Sequence, residues 1–245
     1  MPEILKTRAL VIRKLNYGDS SIIADFFTEH SGKISAIIKG ARSSKSRMGK
    51  LVDLCNLVEI VFYHKESREI QFVKEVDLVE HYHGIKNDLD RLKYLLAVSE
   101  LLEKLTIENE PHERLFRGVE KILTLMNESG SDSKLLFARF FLFFIEELGY
   151  QIPLSNCSSC GKEITVSGQS AFSFNSGILC SACKKNGIEY VEMTEELLEI
   201  LFCLSHKNCN KKFAEHDLKR IINLFEKYMM HHVHEFKGLK SLKLY

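Results

Sequence analysis

The chain has 245 residues, 45% of them hydrophobic and 27% charged, which excludes a disordered or low-complexity protein and allows one large core or two small ones. A formal net charge of +1 excludes no class of partner, because a basic patch can be balanced elsewhere; the distribution of charge matters more than the sum. The longest apolar run, Leu135 to Ile145, is interrupted by Arg139 and is too short to span a bilayer, so no membrane partner is expected. Met1-Pro2-Glu3-Ile4 does not open a charged-then-apolar signal sequence, and seven cysteines are an odd number. The expectation is a cytoplasmic protein in which Cys55, Cys203 and Cys209 are free thiols.

The first eighty or so residues predict five short strands: Arg8–Arg13, Ile22–Phe27, Ile34–Lys39, Leu57–Tyr63 and Ile70–Leu78. Each is rich in β-branched or aromatic residues. Asn16-Tyr17-Gly18-Asp19, His30-Ser31-Gly32-Lys33 and Lys65-Glu66-Ser67 supply turns between them. Alternation in Glu69-Ile70-Gln71-Phe72 predicts one wet and one buried face. This is the right size for a small closed barrel such as an OB-fold, here residues 1–80, and other small barrels fit the pattern nearly as well. Its aromatic residues are mostly core, with Tyr17 and Tyr63 the better candidates for stacking on unpaired bases.

Within the barrel, the stretch from Gly32 to Val52 holds Lys33, Lys39, Arg42, Lys45, Arg47 and Lys50 and no acid. Its centre places small polar residues, among them Ser43, Ser44 and Ser46, between the charges. A loop of this composition suits a polyanion backbone, because cations neutralise phosphates without demanding a base sequence. A plain solvated loop has the same composition.

After Glu80 the period becomes helical. Leu89, Leu92, Leu95, Leu96, Leu102 and Leu105 predict a helix over about 87–107; Leu115, Val119, Ile122, Leu123 and Met126 predict a second beginning near Pro111. A third, from about Lys134 to Leu148, is apolar on almost every face and reads as core. Thr194 reads as the cap of a fourth, and Phe213–His234 as the last. Residues 81–245 therefore read as an all-α domain, interrupted at about 153–190. His231, His232 and His234 read as a solvated helix end.

The interruption carries Cys157-Ser-Ser-Cys160 and Cys180-Ser-Ala-Cys183, a C-x2-C-x19-C-x2-C spacing typical of zinc sites. Each pair forms a knuckle that points two thiolates at one cation, and four protein ligands leave no open position for water. The site is expected to hold one structural Zn2+ per chain, with Lys162, Lys184 and Lys185 placed to temper its negative charge; two disulfides or four unrelated buried thiols are the alternative.

Four stretches together resemble one known family: Thr7-Arg8-Ala9-Leu10-Val11-Ile12-Arg13 with Tyr17-Gly18-Asp19-Ser20; Phe27-Thr28-Glu29-His30-Ser31-Gly32-Lys33; Ile38-Lys39-Gly40-Ala41-Arg42; and Gly149-Tyr150 before the cysteines. In this order the chain resembles RecO, a family of bacterial recombination mediators in DNA repair. The resemblance implies an α+β protein: an N-terminal OB-fold, then helices with a zinc knuckle. It implies non-enzymatic work at the nucleoid: binding single- and double-stranded DNA, annealing strands, and helping RecA, with RecR, displace single-stranded-DNA-binding protein. It also implies that the helices receive that protein's acidic, phenylalanine-ended tail, for which Arg139, or Arg117 or Lys121, would supply charge. Where the family often has paired glycines before its third cysteine, this chain has Ser176-Gly177-Ile178-Leu179.

Enzyme motifs are absent. Gly32-Lys33-Ile34 lacks the residues of a P-loop, Phe116 stands where a zinc protease needs its second histidine, and Gly168-Gln169-Ser170-Ala171-Phe172 lacks the last glycine of a nucleophile elbow. The alternatives are an OB-fold and zinc protein acting on RNA, and a zinc hydrolase or deaminase; for the latter, Asn156 replaces the proline expected before the first cysteine.

Overall fold

A computed structural model describes residues 2–184, 190–206 and 211–243; Lys185 and Cys209 lie outside them. The chain packs as two compact units, Met1–Ser131 with Leu239–Tyr245, and Asp132–Gly238. The packing boundary thus falls well after the strand-to-helix transition near Glu80. Among the described residues, no helix is long and apolar enough to cross a membrane.

The first unit opens with β1 (Glu3–Tyr17), β2 (Ser21–Thr28), β3 (Gly32–Ile38), a one-turn helix α1 (Arg47–Leu51), β4 (Leu57–His64) and β5 (Ile70–Glu80). The strands close in the order β1-β2-β3-β5-β4. Closure depends on the length of β1, whose first half pairs antiparallel with β4 (Ile4 opposite Tyr63) and whose second half pairs with β2 (Leu15 opposite Ile23). Parallel pairing of β3 with β5 seals the barrel. Bulges at Val11/Arg13 and Val61/Phe62 bend the strands enough to do this. This is the five-stranded OB-fold.

Every second residue points inward, and Val11, Phe26, Ile38, Ile60 and Phe62 are fully buried in the interior. Small residues, Ala9, Ala24 and Ala36, are buried among them, the mix of large and small side chains that a narrow barrel needs. Leu10 and Phe27 point outward yet are also buried, beneath the helices that follow.

Those helices are α2 (His83–Lys86), α3 (Leu89–Leu105) and α4 (Glu113–Asn127). The Asp88 carboxylate accepts the Asp90 and Arg91 N–H groups and so caps α3. Phe27 meets Phe116 of α4 at 6.0 Å, and Arg8 bridges from the barrel to Glu29 and to Glu120 of α4. That paired guanidinium holds the Glu29 carboxyl below its ordinary range. The chain returns at its end to α3, where Glu100 accepts the N–H groups of Lys240 and Ser241 and the Ser241 hydroxyl.

The second unit contains α5 (Ser133–Glu147), a small sheet of β6 (Ser170–Ser173), β7 (Gly177–Cys180) and β8 (Val191–Met193), α6 (Glu195–Ser205) and α7 (Glu215–His232). Phe137, Phe141 and Phe144 of α5 are fully buried, and Phe141 meets Phe225 of α7 edge-on at 5.8 Å. Thr194 accepts the Leu197 N–H and caps α6, as its sequence predicts. The sheet packs on α7 through Phe172 and Tyr228.

Candidate nucleic-acid interface and metal centre

The acid-free segment after β3 is folded rather than loose. Ala41 and Val52 are buried with the barrel interior, and Met48 and Leu51 pack against it, so α1 and its flanks close one end of the barrel. The Ser46 hydroxyl accepts the Gly49 N–H to cap α1, and the Ser43 hydroxyl accepts the Lys45 N–H. These two hydroxyls hold the segment's own backbone. Gly49 is required here: a Cβ at that position would lie 1.7 Å from the Ala41 carbonyl oxygen.

The apolar side of this plug faces inward, so its cations face outward. Lys39, Arg42, Lys45, Arg47 and Lys50 are all exposed. Arg42 joins the segment to the β1–β2 turn: its backbone N–H donates to the Ser20 carbonyl at 2.9 Å and its guanidinium to the Gly18 carbonyl at 2.8 Å. Tyr17, 55% exposed at the end of β1, is thereby brought beside the basic segment. Arg47 has a long contact with Asp77 at 3.3 Å, while the ammonium groups of Lys45 and Lys50 make no hydrogen bond or ion pair among the described residues. The structure therefore collects five of the six cations and Tyr17 at one end of the barrel.

Lys33 is the one it does not collect. It lies at the opposite end of β3, and its ammonium donates to the Glu103 carbonyl of α3 at 2.8 Å. A cation at a helix C-terminus satisfies carbonyls that the helix leaves open. The Thr28-to-Lys33 motif is thus a structural turn, with the Thr28 hydroxyl donating to the Gly32 carbonyl.

Alternation in β5 has the expected period and the opposite phase. Gln71 is buried, and its amide serves the β4–β5 turn at Lys65 and Arg68. Phe72 faces outward and is half-buried. Lys39 and Arg68 stand 5.0 and 5.2 Å from its ring centroid. Sequence reasoning missed Phe72 and Arg68 as surface residues; the signal was the polar Gln71 in a turn-proximal position that demands an amide.

The four cysteines converge in the second unit, as their spacing predicts. Their sulfur atoms all lie within 4.8 Å of one another, and Cys160 and Cys180 are 3.8 Å apart. That is far beyond a disulfide bond, and it equals the edge of about 3.8 Å that metal–sulfur bonds of about 2.3 Å give a tetrahedron. Ser155 to Ile164 folds back on itself around the first pair, with Cys157 N–H donating to Lys162 and Gly161 N–H to Cys157. The β6–β7 hairpin presents the second pair, with Cys183 on the one-turn 3₁₀ helix Ser181–Cys183. Gly177, at φ +93°, makes the hairpin turn with Pro153 against the space a side chain would need. The single glycine here therefore suffices.

Burial pushes the Cys157 thiol up, but N–H donors of Cys180, Cys160 and Ser159 outweigh it and bring it down to about 6. The contact with Cys160 pushes Cys183 the other way, up to about 12. Four crowded thiols cannot all ionise by themselves; a divalent cation at their centre makes that possible. The donor set fits a metal ion, and these four residues can hold one. Of the lysines expected to temper it, Lys184 is paired with Glu192, and Lys162 is exposed.

Two expectations need correction. His231 and His234 are exposed, as a solvated helix end should be, but two of the three histidines also make contacts: the His232 ring lies 4.4 Å from that of Tyr228, tilted by 57°, and donates from Nε2 to the Phe174 carbonyl, while His231 Nε2 meets Asn175 Oδ1 at 2.7 Å. They tie α7 to the hairpin that carries Cys180, a docking that local sequence does not encode. Cys203 is disulfide-bonded rather than free, because pairing follows approach in space and not composition. Cys55 is a free, fully buried thiol that burial pushes up to about 12. Arg117 and Lys121 stand exposed on α4 in the first unit, and Arg139 is half-buried on α5 in the second.

Known proteins match both regions of the chain. The family model described as recombination protein O N terminal matches residues 1–82, and that described as recombination protein O C terminal matches residues 86–243. The DNA repair protein RecO of Pelodictyon phaeoclathratiforme is 28% identical over 253 residues, covering 98% of this chain and 97% of its own length. That of Acetivibrio thermocellus is 29% identical over 211 residues, covering 86% and 82%. That of Chloroherpeton thalassium is 31% identical over 162 residues, covering 66% and 62%. The two family models together take in nearly every residue of the barrel, the helices and the cysteine module, and the chain belongs to the RecO family of DNA repair proteins.

Proposed function

We propose that the chain is a non-enzymatic DNA-binding mediator that anneals complementary single strands and helps load RecA onto strands coated with single-stranded-DNA-binding protein. The observation that carries this reading is the end of the barrel where Lys39, Arg42, Lys45, Arg47 and Lys50 face outward beside Tyr17. Cations fixed on a folded plug lose little freedom when they meet phosphates, and they neutralise two strands without reading either. Annealing then follows from screening the repulsion between strands. One structural Zn2+ on Cys157, Cys160, Cys180 and Cys183 would hold the cysteine module; bound there it supplies fold rather than a reactive water, since four thiolates complete its shell. RecR and the single-stranded-DNA-binding protein are the partners this reading assigns. Arg117 and Lys121, exposed on α4, are the charge partners we assign to the acidic tail, with Arg139 as the alternative.

An annealing assay with complementary strands coated by the cognate single-stranded-DNA-binding protein tests the reading. The chain should accelerate duplex formation, and the Arg42→Ala, Lys45→Ala, Arg47→Ala, Lys50→Ala variant should lose most of that acceleration. No acceleration by the intact chain would refute the mediator role. Tighter binding to matched RNA than to DNA would favour an RNA-binding protein instead.

A further inference from the structure

Side chains from all five strands fall into one line around the outside of the barrel. Ile4 is opposite Tyr63, Tyr63 opposite Phe72, Phe72 opposite Ile37, Ile37 opposite Ile23, and Ile23 opposite Leu15. All six point away from the interior. Ile4 and Leu15 are 56% and 46% exposed, and the four between them are half-buried. A soluble barrel ordinarily alternates apolar-in with polar-out. Here the outer face carries an unbroken apolar row with two aromatic rings at its centre.

Charge says what the row would take. Lys39, directly after β3, and Arg68, in the β4–β5 turn, both stand on the Phe72 ring, and neither forms an ion pair among the described residues. Lys6 and Lys74 flank the row one step along their strands, but each already carries a carboxylate, Glu59 at 2.7 Å and Glu75 at 3.0 Å. The uncompensated charge is therefore concentrated at the aromatic centre. Apolar rings beside cations that lack a carboxylate partner among the described residues complement a ligand with flat apolar faces strung on a polyanion. In a duplex those faces are stacked on one another and inaccessible; in a single strand they are open.

We propose that this row is a base-stacking track for unpaired nucleic acid, with Phe72 and Tyr63 under the bases and Lys39 and Arg68 on the flanking phosphates. The proposal rests on the reading that the barrel binds DNA, and it adds the feature that selects single strands. Lys39 joins the track to the basic segment, so one strand can run from the rings onto the plug.

The test measures anisotropy with an oligothymidylate and with an abasic strand of equal length, which keeps the phosphates and lacks the bases. Phe72→Leu with Tyr63→Leu should weaken oligothymidylate binding roughly 5- to 150-fold for each base that no longer stacks, leave abasic-strand binding unchanged, and leave the salt dependence unchanged. Phe72→Tyr, which keeps a ring, should retain affinity and so separates stacking from any fold defect. If both probes weaken equally, or if neither weakens while the Arg42, Lys45, Arg47, Lys50 variant does, the track is refuted and the DNA-binding reading stands. If neither variant weakens either probe, both readings fall. If the ring variant loses binding to an acidic peptide ending in phenylalanine but not to the strand, the row belongs to a protein partner and the track is refuted.

Discussion

The barrel and the cysteine module are two ways of holding a short chain in place. The barrel uses burial: its interior residues lock together without a cross-link, and each contributes a few kcal/mol at most. The module has strands of three or four residues, too short to pair stably alone. Its four cysteine sulfurs instead lie within 4.8 Å of one another, a donor set that a metal ion would close. Damage to the barrel should therefore be graded, and damage to the module should be all or none. The division also suits the proposed work: the surface assigned to DNA sits on a scaffold held by burial.

The largest expected effect is on the module. Cys160→Ser should abolish tight metal binding, because structural zinc contributes on the order of 10 kcal/mol to a site of this kind. Hydrogen exchange should then lose protection across β6 and β7 while β1 to β5 keep theirs. Metal content by mass spectrometry and exchange on the same sample measure both. A metal-free chain with a fully protected hairpin would erase the contrast.

A smaller, graded effect is expected in the barrel. Gly49→Ala forces a methyl into the Ala41 carbonyl, and overpacking of this kind costs about 1–3 kcal/mol. Thermal unfolding should report the loss. DNA affinity should fall as well, although no charge is removed, because α1 carries Arg47 and Lys50. Unchanged affinity would mean that the plug does not position its cations.

Smallest is the tie between α3 and the returning C-terminus. Burial pushes the Glu100 carboxyl up, but Lys104, the Ser241 hydroxyl and N–H, and the Lys240 N–H outweigh it and take it down to about 2. A folded pKa below the unfolded one gives stability that is complete above the unfolded value and lost as pH falls through the folded one. Glu100→Gln should cost about 1–2 kcal/mol at neutral pH. The difference from the parent should shrink as pH falls from about 4.5 toward 2. Denaturant midpoints across that range check the sign, and a constant difference would contradict it.

Much of this was legible in the sequence because its signals are local. Five strands, the helical stripes and the Thr194 cap each depend on residues a few positions apart, and each cysteine pair is a local C-x2-C whose recurrence nineteen residues later marks the site. What was not legible depends on distant approach. The phase of Ile70 and Phe72 was set by Gln71 satisfying a turn, and Lys33 was claimed by a helix end that arrives much later in the chain. The basic segment looked like a loose loop because its apolar residues, Ala41, Met48, Leu51 and Val52, are too few to show a period, yet they close the barrel. His231 and His232 likewise gave no sign of the hairpin they hold.

The central claim is that the outward cations of the plug are the contact with DNA. Affinity for a single strand, measured against salt concentration, tests it most directly. Removing one cation that neutralises a phosphate should flatten the log–log slope by about 0.7. Changing Arg42, Lys45, Arg47 and Lys50 to Ala should therefore flatten it clearly, and changing the exposed Lys162, Lys212, Lys219 and Lys227 of the second unit should not. Equal slopes for the two variants would contradict the account and place the DNA-binding surface elsewhere.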